Sequence, residues 1–487
     1  MTRSQGADLV IVGNGIIGLS VAARIKRDAP DLDVLVIGPG DRVGGATPAA
    51  GAMLGCHGEI TKYTLASEAG RAKLDMAEEA HGAWPEFIAD LNDISTDAAE
   101  IDPVRSTFVV LNGRSGLLDS ENYSALLAYL ADRGVPHEEV DTVPGLDPTP
   151  DARPLRAVHL VDEGAVDARA VVARLEALAD AHGVRWLDAQ VERLTENHGR
   201  VSGCILEGGV QVACDSVVVA AGSASGSLLD SVLPRGEVQP IFSGSGVAYL
   251  TRRVLGAGFP AVVRSVNRAG SCGLHVIPLG ESVEYLGATN VIFGEPETLP
   301  HLGVVGFLVD SAIDQLDRAL TYSRILETRV GNRPVPLDTY PLLGETSIPG
   351  LLVLTGTYRD GFHAAPLLAR LASKSVLGGS SAFPAVFTPG RTPLLGGTRE
   401  DAIREFAFQN VSSAFENGIR LSRFMDHDDL EHMYRPSAEA LFDRLGLEHG
   451  LPPDIVTYLV LTRKDPAEVD RVGAYLAGTG LSPGPSR

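Results

Sequence analysis

The feature that most constrains this chain lies close to its N-terminus. Asp8–Val12 (DLVIV) is a short apolar run bounded by turn residues, the pattern of a buried parallel strand. Gly13-Asn14-Gly15-Ile16-Ile17-Gly18 follows at once, Leu19–Arg27 has helical spacing, and Val34–Ile37 is a second apolar strand. Strand, glycine-rich turn, helix and strand in that order form the βαβ unit that holds a dinucleotide. Gly13 permits the tight bend, Gly15 lets the backbone approach a pyrophosphate, and Gly18 lets the helix pack on the strand. The phosphate then rests on the positive end of the helix. The acidic residue that usually ends the second strand is missing. Ile37-Gly38-Pro39-Gly40 stands in its place and Asp41 comes late, which leaves the ribose to backbone groups, Gly38 among them, or to Asp41.

A length of 487 residues predicts roughly two to four folding units with a large buried core. Hydrophobic residues at 44% and charged residues at 21% exclude a disordered chain. Forty-one basic against 62 acidic residues give a net charge of −21, which repels phosphate backbones and anionic lipid but tolerates a cationic substrate. The four cysteines, Cys56, Cys204, Cys214 and Cys272, show no CxxC spacing, so neither a zinc ribbon nor a disulfide framework is indicated and a reducing compartment is expected. Met1–Ala7 lacks the apolar core of a signal peptide, and no apolar stretch reaches the about 18 residues of a membrane span. A cytoplasmic protein is expected, with neither nucleic acid nor membrane as partner. His427 and His432 are spaced so as to leave them on different faces of a helix, and no metal is expected.

Further along, Asp41–Gly55 (DRVGGATPAAGAMLG) is rich in small residues, which let a backbone approach a ligand closely. Ser67–Leu91 and Asp167–His182 read as helices, Glu192–Cys214 as hairpin strands turning at Glu207-Gly208-Gly209, and Val217–Ala221 as a buried strand. Val238–Ile292 is mostly strand-like; Phe307–Leu320 is a helix, Leu351–Leu354 a strand and His363–Val376 a helix. Residues 378–397, dense in Gly, Pro and Ser, read as a linker, and 398–480 as all-helical, with Thr398 as a cap and Glu400 and Asp401 favouring the first helix dipole.

Three segments in order, GNGIIG (13–18), ATPAAGAMLGCHGE (46–59) and GNRP…PLLG…GTYRDGFHAAP (331–366), resemble the glycine oxidase and D-amino-acid oxidase family of FAD-dependent amine oxidases, and glycine oxidase most of all. Weaker echoes are DEGAVDARAVV (162–172), VVVAAG (217–222) and IPLGESVEYLGAT (277–289), so the resemblance covers about residues 8–377. It implies a Rossmann-type FAD domain made of 1–85, 155–233 and 325–377, and an antiparallel-sheet substrate domain made of 86–154 and 234–324. A 378–397 linker and a 398–487 helical extension outside the family pattern follow. Homo-oligomers are expected.

The resemblance also assigns residues. FAD, bound non-covalently because no cysteine follows Cys272, would meet Gly13, Gly15, Ile16, Ile17, Gly18, Gly38, Ala46, Thr47, Gly51, Ala52 and Met53. Its adenine would lie by the backbone of Val191, with Ala221 and Gly222 nearby, and its ring beside Arg333 and Arg359. Asp360, Gly361, Phe362 and His363 bring the N-terminus of a helix to the flavin, where its amides stabilise negative charge. Arg333 matches the family's carboxylate-holding arginine; its planar fork suits bidentate capture, which places a Cα–H over flavin N5. An arginine paired with a structural carboxylate is the alternative. Arg359 matches a second position near ring and substrate. His275 stands where an aromatic residue usually faces the substrate; it either contacts an ammonium group or is simply packed. His57 ranks below it. Two departures affect the pocket: Gly51-Ala52 inverts the family order, which would put the Ala52 methyl over the flavin, and Arg329 replaces an aromatic wall residue. The reaction implied is oxidation of an amine next to a carboxylate or carbonyl, by hydride transfer to FAD and then electron transfer to oxygen, giving an imine and hydrogen peroxide. The alternatives are action on a larger amine-bearing natural-product intermediate, a dehydrogenase with another acceptor, and a flavin-binding protein with little turnover.

Overall fold

The computed structural model describes residues 5–268, 271–380, 383–462 and 466–482. Side chains at Ser271 and Cys272 lie outside the described part, as do the chain's first four and last five residues. Two sheets organise the chain. In the first, Gln5–Val12 runs parallel between Val34–Ile37 and Gln211–Val219, with Val10 beside Leu35 and Val217. Arg185–Leu187 and Leu351–Thr355 extend it in parallel on either side, Leu342–Glu345 closes one edge, and the Val191–Asn197/Arg200–Leu206 hairpin is attached to Gln211–Val219. Helices Ile16–Asp28 and Gly361–Val376 pack together on one face, where Val21, Ile25, Leu367 and Leu368 are buried. Strands buried on both faces need continuous apolar runs, which is what these are.

The second, ten-stranded sheet is built on the hydrogen-bonded strands Val104–Asn112, Pro154–Ala165, Ile241–Arg252, Val262–Ser265, Ser271–Pro278, Val283–Thr289 and Arg324–Pro336. Pro154–Ala165 and Arg324–Pro336 pair inside this sheet along most of their length, so the chain returns to the first sheet after these strands and not before them, as 155 and 325 had implied. Arg324–Pro336 ends beside the nucleotide-binding half, where Asn332 bridges to Gly45. The helix expected at 307–320 spans Leu302–Gln315 and gives way to a 3₁₀ turn at Arg318–Tyr322, because Asp317 caps the turn by accepting from Ala319 N–H.

The expected linker is no loose tether. Phe387 is wholly buried among Met76, Leu343 and Leu368, and Arg391 pairs at 2.8 Å with the fully buried Asp338. Beyond it the helices Arg399–Glu416, His427–Leu445, Pro453–Leu461 and Pro466–Gly478 form. Thr398 caps the first in a capping box with Asp401. Phe406, Phe442, Ile455 and Leu459 share one apolar core with Phe242, Val335, Leu337 and Tyr358 of the preceding units. The extension therefore braces the second sheet. Among the described residues no helix is long and apolar enough to cross a membrane. Phe387→Ala should cost about 3–5 kcal/mol, the scale of a buried aromatic truncation, whereas a residue in a free linker would change stability by less than about 0.5 kcal/mol; denaturant melts decide.

Candidate active site

A cleft of about 860 Å³ opens at the carboxyl ends of the parallel strands. Its lining contains Gly13, Gly15, Ile16, Ile17, Gly38, Ala46, Thr47, Gly51, Ala52, Met53, Val191, Ala221, Gly222, His275, Arg333, Arg359, Asp360, Gly361, Phe362 and His363. Gly18 lies behind it, where a Cβ would sit 1.9 Å from the Gly13 carbonyl oxygen. Gly13, at φ +115°, has the Ala220 carbonyl 2.3 Å from any Cβ. Such contacts leave no choice but glycine.

The phosphate end is built from backbone and one hydroxyl. Helix Ile16–Asp28 starts at Gly15 with no side-chain cap and no acidic residue in its first turn. Ile16 N–H donates instead to Thr47 Oγ1 at 3.0 Å, and Thr47 is buried. The positive helix end and a hydroxyl thus converge on one point. The ribose end differs from the usual pattern for a steric reason: a side chain at Gly38 would meet Asn14 at 2.6 Å. Asp41 is outside the lining and accepts from Val43 N–H, while Arg42 enters it, donating to the Asn14 carbonyl at 2.9 Å.

At the far end the second sheet faces the cleft. Arg333 Nη1 donates to Thr289 O at 3.1 Å, Asn290 Oδ1 at 3.3 Å and Gly244 O at 3.4 Å. All three partners are neutral oxygens, and among the described residues no carboxylate forms an ion pair with Arg333. Gly246 makes the room: a Cβ there would stand 2.4 Å from Nη1. His275 is buried and stacks on Tyr285 at 5.6 Å between ring centroids, and its Nδ1 bonds to Gly273 O at 3.0 Å. Burial lowers its pKa to about 4, opposed by the Gly273 carbonyl and reinforced by Arg264 and Arg333. The ring is therefore neutral at physiological pH, with the Gly273 bond directing its lone pair to Nε2.

One expectation on the pocket wall changes and one gains detail. Ala52 takes φ +50° and lines the cleft, with its side chain buried in the cluster of Ile16, Leu54, Trp84 and Phe362. Position 51 is crowded, since a Cβ there would lie within 3.1 Å of Ile277, Tyr285 and His275. Arg329 is absent from the lining; it lies over the Tyr285 ring at 6.0 Å and pairs with Glu327. His363 contributes backbone only, since its Nε2 reaches Ala77 O at 2.8 Å. Asp360 pairs with Lys73 at 2.8 Å.

Sequence reasoning missed Arg264, Glu59, Tyr285, Asn290 and Tyr358. Arg264 pairs with Glu59 at 2.6 Å, and Tyr285 donates to Ala49 O at 2.8 Å. Tyr285 lies within IPLGESVEYLGAT, and its alternation with Leu286 is the available signal. His57, itself partly exposed, lies in a trio with the buried Cys56 and Glu163. Burial and Glu163 push the Cys56 thiol up, and one oxygen of Glu163 accepts from the backbone N–H of Cys56, His57 and Gly58. These bonds already account for the trio. A second group, His427, Asp428 and Glu431, includes the His427–Glu431 pair at 2.9 Å; His432 is not part of it.

A cleft with this outline takes a long diphosphate-bearing nucleotide and sets its reactive end beneath the second sheet, the layout of a two-domain oxidoreductase. Residues 8–375 match the DAO family model, FAD dependent oxidoreductase, and the chain belongs to that family. A bifunctional protein ThiO/ThiG of a Synechocystis species is 26% identical over 376 residues, covering 76% of this chain and 52% of that protein. The chain thus spans about half the length of the curated relatives it matches. Glycine oxidase from Geobacillus kaustophilus superposes with a TM-score of 0.68 at 21% identity, over 80% of this chain and all of the other. Iminodiacetate oxidase from a Chelativorans species gives 0.66 at 20%, over 78% and 98%. At such identities these two establish the shared fold. The cofactor is FAD, and the glycines that no Cβ can replace, the Thr47 hydroxyl and two helix N-termini fit it.

A histidine whose folded pKa falls from 6.5 to about 4 binds its proton more readily when unfolded. Stability from this group is therefore complete above pH 6.5 and declines by roughly 3 kcal/mol as pH falls toward 4. His275→Gln should flatten that decline relative to wild type in melts run from pH 7.5 to 4.5; parallel curves would show that His275 does not titrate this way.

Proposed function

We propose that this protein oxidises an amine whose neighbouring carbon carries a carboxylate, releasing an imine and hydrogen peroxide. The observation that carries this reading is Arg333, a half-buried guanidinium held by three carbonyl-type oxygens with no carboxylate partner among the described residues. A cation out of bulk water without a counter-ion calls for an anionic ligand. Its planar fork gives a carboxylate both position and orientation. His275 Nε2, neutral, accepts a hydrogen bond from the substrate amine. At a pKa of about 4 it is too weak a base to strip an ammonium group directly. The N-terminus of Gly361–Val376, which has no side-chain cap, opens on the same cleft and favours developing negative charge. FAD, when bound, supplies the hydride acceptor and the route for electrons to oxygen. Non-covalent attachment is supported by the absence of Cys56, Cys204 and Cys214 from the cleft lining. A cytoplasmic setting is supported by those same three cysteines being free thiols.

The 46–59 and 331–366 segments and the family membership support this amine-oxidising reading, as does the sharing of this fold by a glycine oxidase and an iminodiacetate oxidase. A second chamber of about 1090 Å³ favours a substrate bulkier than glycine. It shares Glu59, Tyr358 and Arg359 with the cleft and is walled by the Arg399–Glu416 helix and the loop before Asp454.

Anaerobic bleaching of the yellow protein by a panel of carboxylate-bearing amines, from glycine-sized to peptide-sized, followed by peroxide assay on admitting air, tests the activity. Arg333→Lys should cut kcat/KM by about 10- to 100-fold with FAD retained, the loss of a charged hydrogen bond of about 1.5–3 kcal/mol. Gly246→Ala should mimic it by displacing the guanidinium. Unchanged kinetics in both variants would remove Arg333 from the substrate site.

A further inference from the structure

Residues past the family segment reach into this site. Asp454, in the first turn of helix Pro453–Leu461, accepts from Tyr358 Oη at 2.8 Å. The same Tyr358 oxygen accepts from Asn290 Nδ2 at 2.5 Å and from Arg359 Nη2 at 3.4 Å. Asn290 in turn offers its carbonyl Oδ1 to Arg333 Nη1 at 3.3 Å. The direction of every bond in this chain follows from its far end. An ionised carboxylate can only accept, so Tyr358 must donate to it. The phenol oxygen is then left as an acceptor, which turns the amide of Asn290 nitrogen-first toward Tyr358 and oxygen-first toward Arg333. A reversed amide would point N–H groups at a guanidinium.

A second observation is backbone strain. Tyr358 has φ +49°, a left-handed conformation that costs a bulky residue about 1–2 kcal/mol. The Tyr358 N–H to Pro334 O bond at 3.1 Å ties it to the residue after Arg333. Strain of this kind persists where the surroundings over-determine it, and it concentrates at functional sites.

We propose that Asp454 is a positioning residue for the anion site: through Tyr358 and Asn290 it fixes the orientation in which Arg333 receives the substrate carboxylate. The helical extension is thereby a working wall of the active site as well as a brace. The inference rests on the reading of Arg333 as the carboxylate anchor.

The probe is propionate, a carboxylate with no amine to oxidise, titrated into the FAD-loaded enzyme and read by the flavin absorbance change. Asp454→Ala should raise the propionate Kd by about 5- to 20-fold, the scale of a lost oriented hydrogen bond. Asp454→Asn, which can still present an oxygen to Tyr358, should stay within about threefold of wild type because orientation survives the loss of charge. Tyr358→Phe should reproduce the Asp454→Ala effect, and the double variant should be no worse than either single one, since both cut the same chain. With amine substrates the effect should fall on KM more than on kcat. Equal losses in the Asn and Ala variants, additive losses in the double variant, or propionate binding within twofold of wild type in Asp454→Ala would each overturn the proposal. If Asp454→Ala does not fold, Tyr358→Phe and Asp454→Asn still decide. If Arg333→Lys leaves propionate binding unchanged, the anchor reading itself fails. If Arg333→Lys weakens binding and Asp454→Ala does not, only the present inference fails.

Discussion

One buried amide joins the two halves of this enzyme. The Asn332 side chain donates to Gly44 O at 2.8 Å and to Glu297 O at 2.7 Å, and accepts from Glu297 N–H at 2.9 Å. Its backbone N–H reaches Gly44 O as well, at 2.9 Å. Gly44 belongs to the loop that leads to Thr47 and the phosphate end, and Asn332 to a strand of the second sheet. Gly331 permits the approach, because a Cβ there would stand 2.6 Å from that of Ala49. Arg333 is the next residue, so the distance between the phosphate end and the Arg333 guanidinium is set by this seam. A loop held by a saturated, buried amide is far stiffer than one held by apolar contact alone.

The electrostatics of the site run against those of the chain. A protein of net charge −21 gathers Arg264, Arg333 and Arg359 around one cleft. Each is answered differently: Arg264 by Glu59, Arg359 by Asp454 at 3.7 Å, and Arg333 by carbonyl dipoles. Dipoles hold a guanidinium in place without neutralising it, which leaves its charge for a ligand. The same positive field, added to burial, keeps His275 uncharged and so able to accept a hydrogen bond.

The extension changes the meaning of the family scaffold. Its aromatic side chains enter the core that holds Tyr358, and its acidic residue meets the tyrosine's hydroxyl. A segment with so large a shared apolar face cannot leave without exposing Phe242, Val335 and Leu337. Packing and site geometry are thus coupled through one residue, Tyr358.

The nucleotide end was legible in sequence because its requirements are local: Gly13, Gly15 and Gly18 are close in the chain, and backbone contacts within a few residues dictate them. Arg333, Arg359 and His275 were found by resemblance, and the cleft unites them. What sequence could not show arises between distant segments. Ala52 takes a positive φ that no composition reveals, and the Gly/Pro-rich stretch before the extension is anchored because Phe387 meets a pocket made by three other segments. Asp454 looks like any acidic residue in a helix's first turn until Pro453–Leu461 is laid against Tyr358. The amino-acid sequence by itself determined the dinucleotide turn and the alternation of strands and helices, since these rest on short-range sterics and periodicity. The tertiary structure alone decided which charges go unpaired and which way each hydrogen bond points, since those depend on neighbours hundreds of residues away.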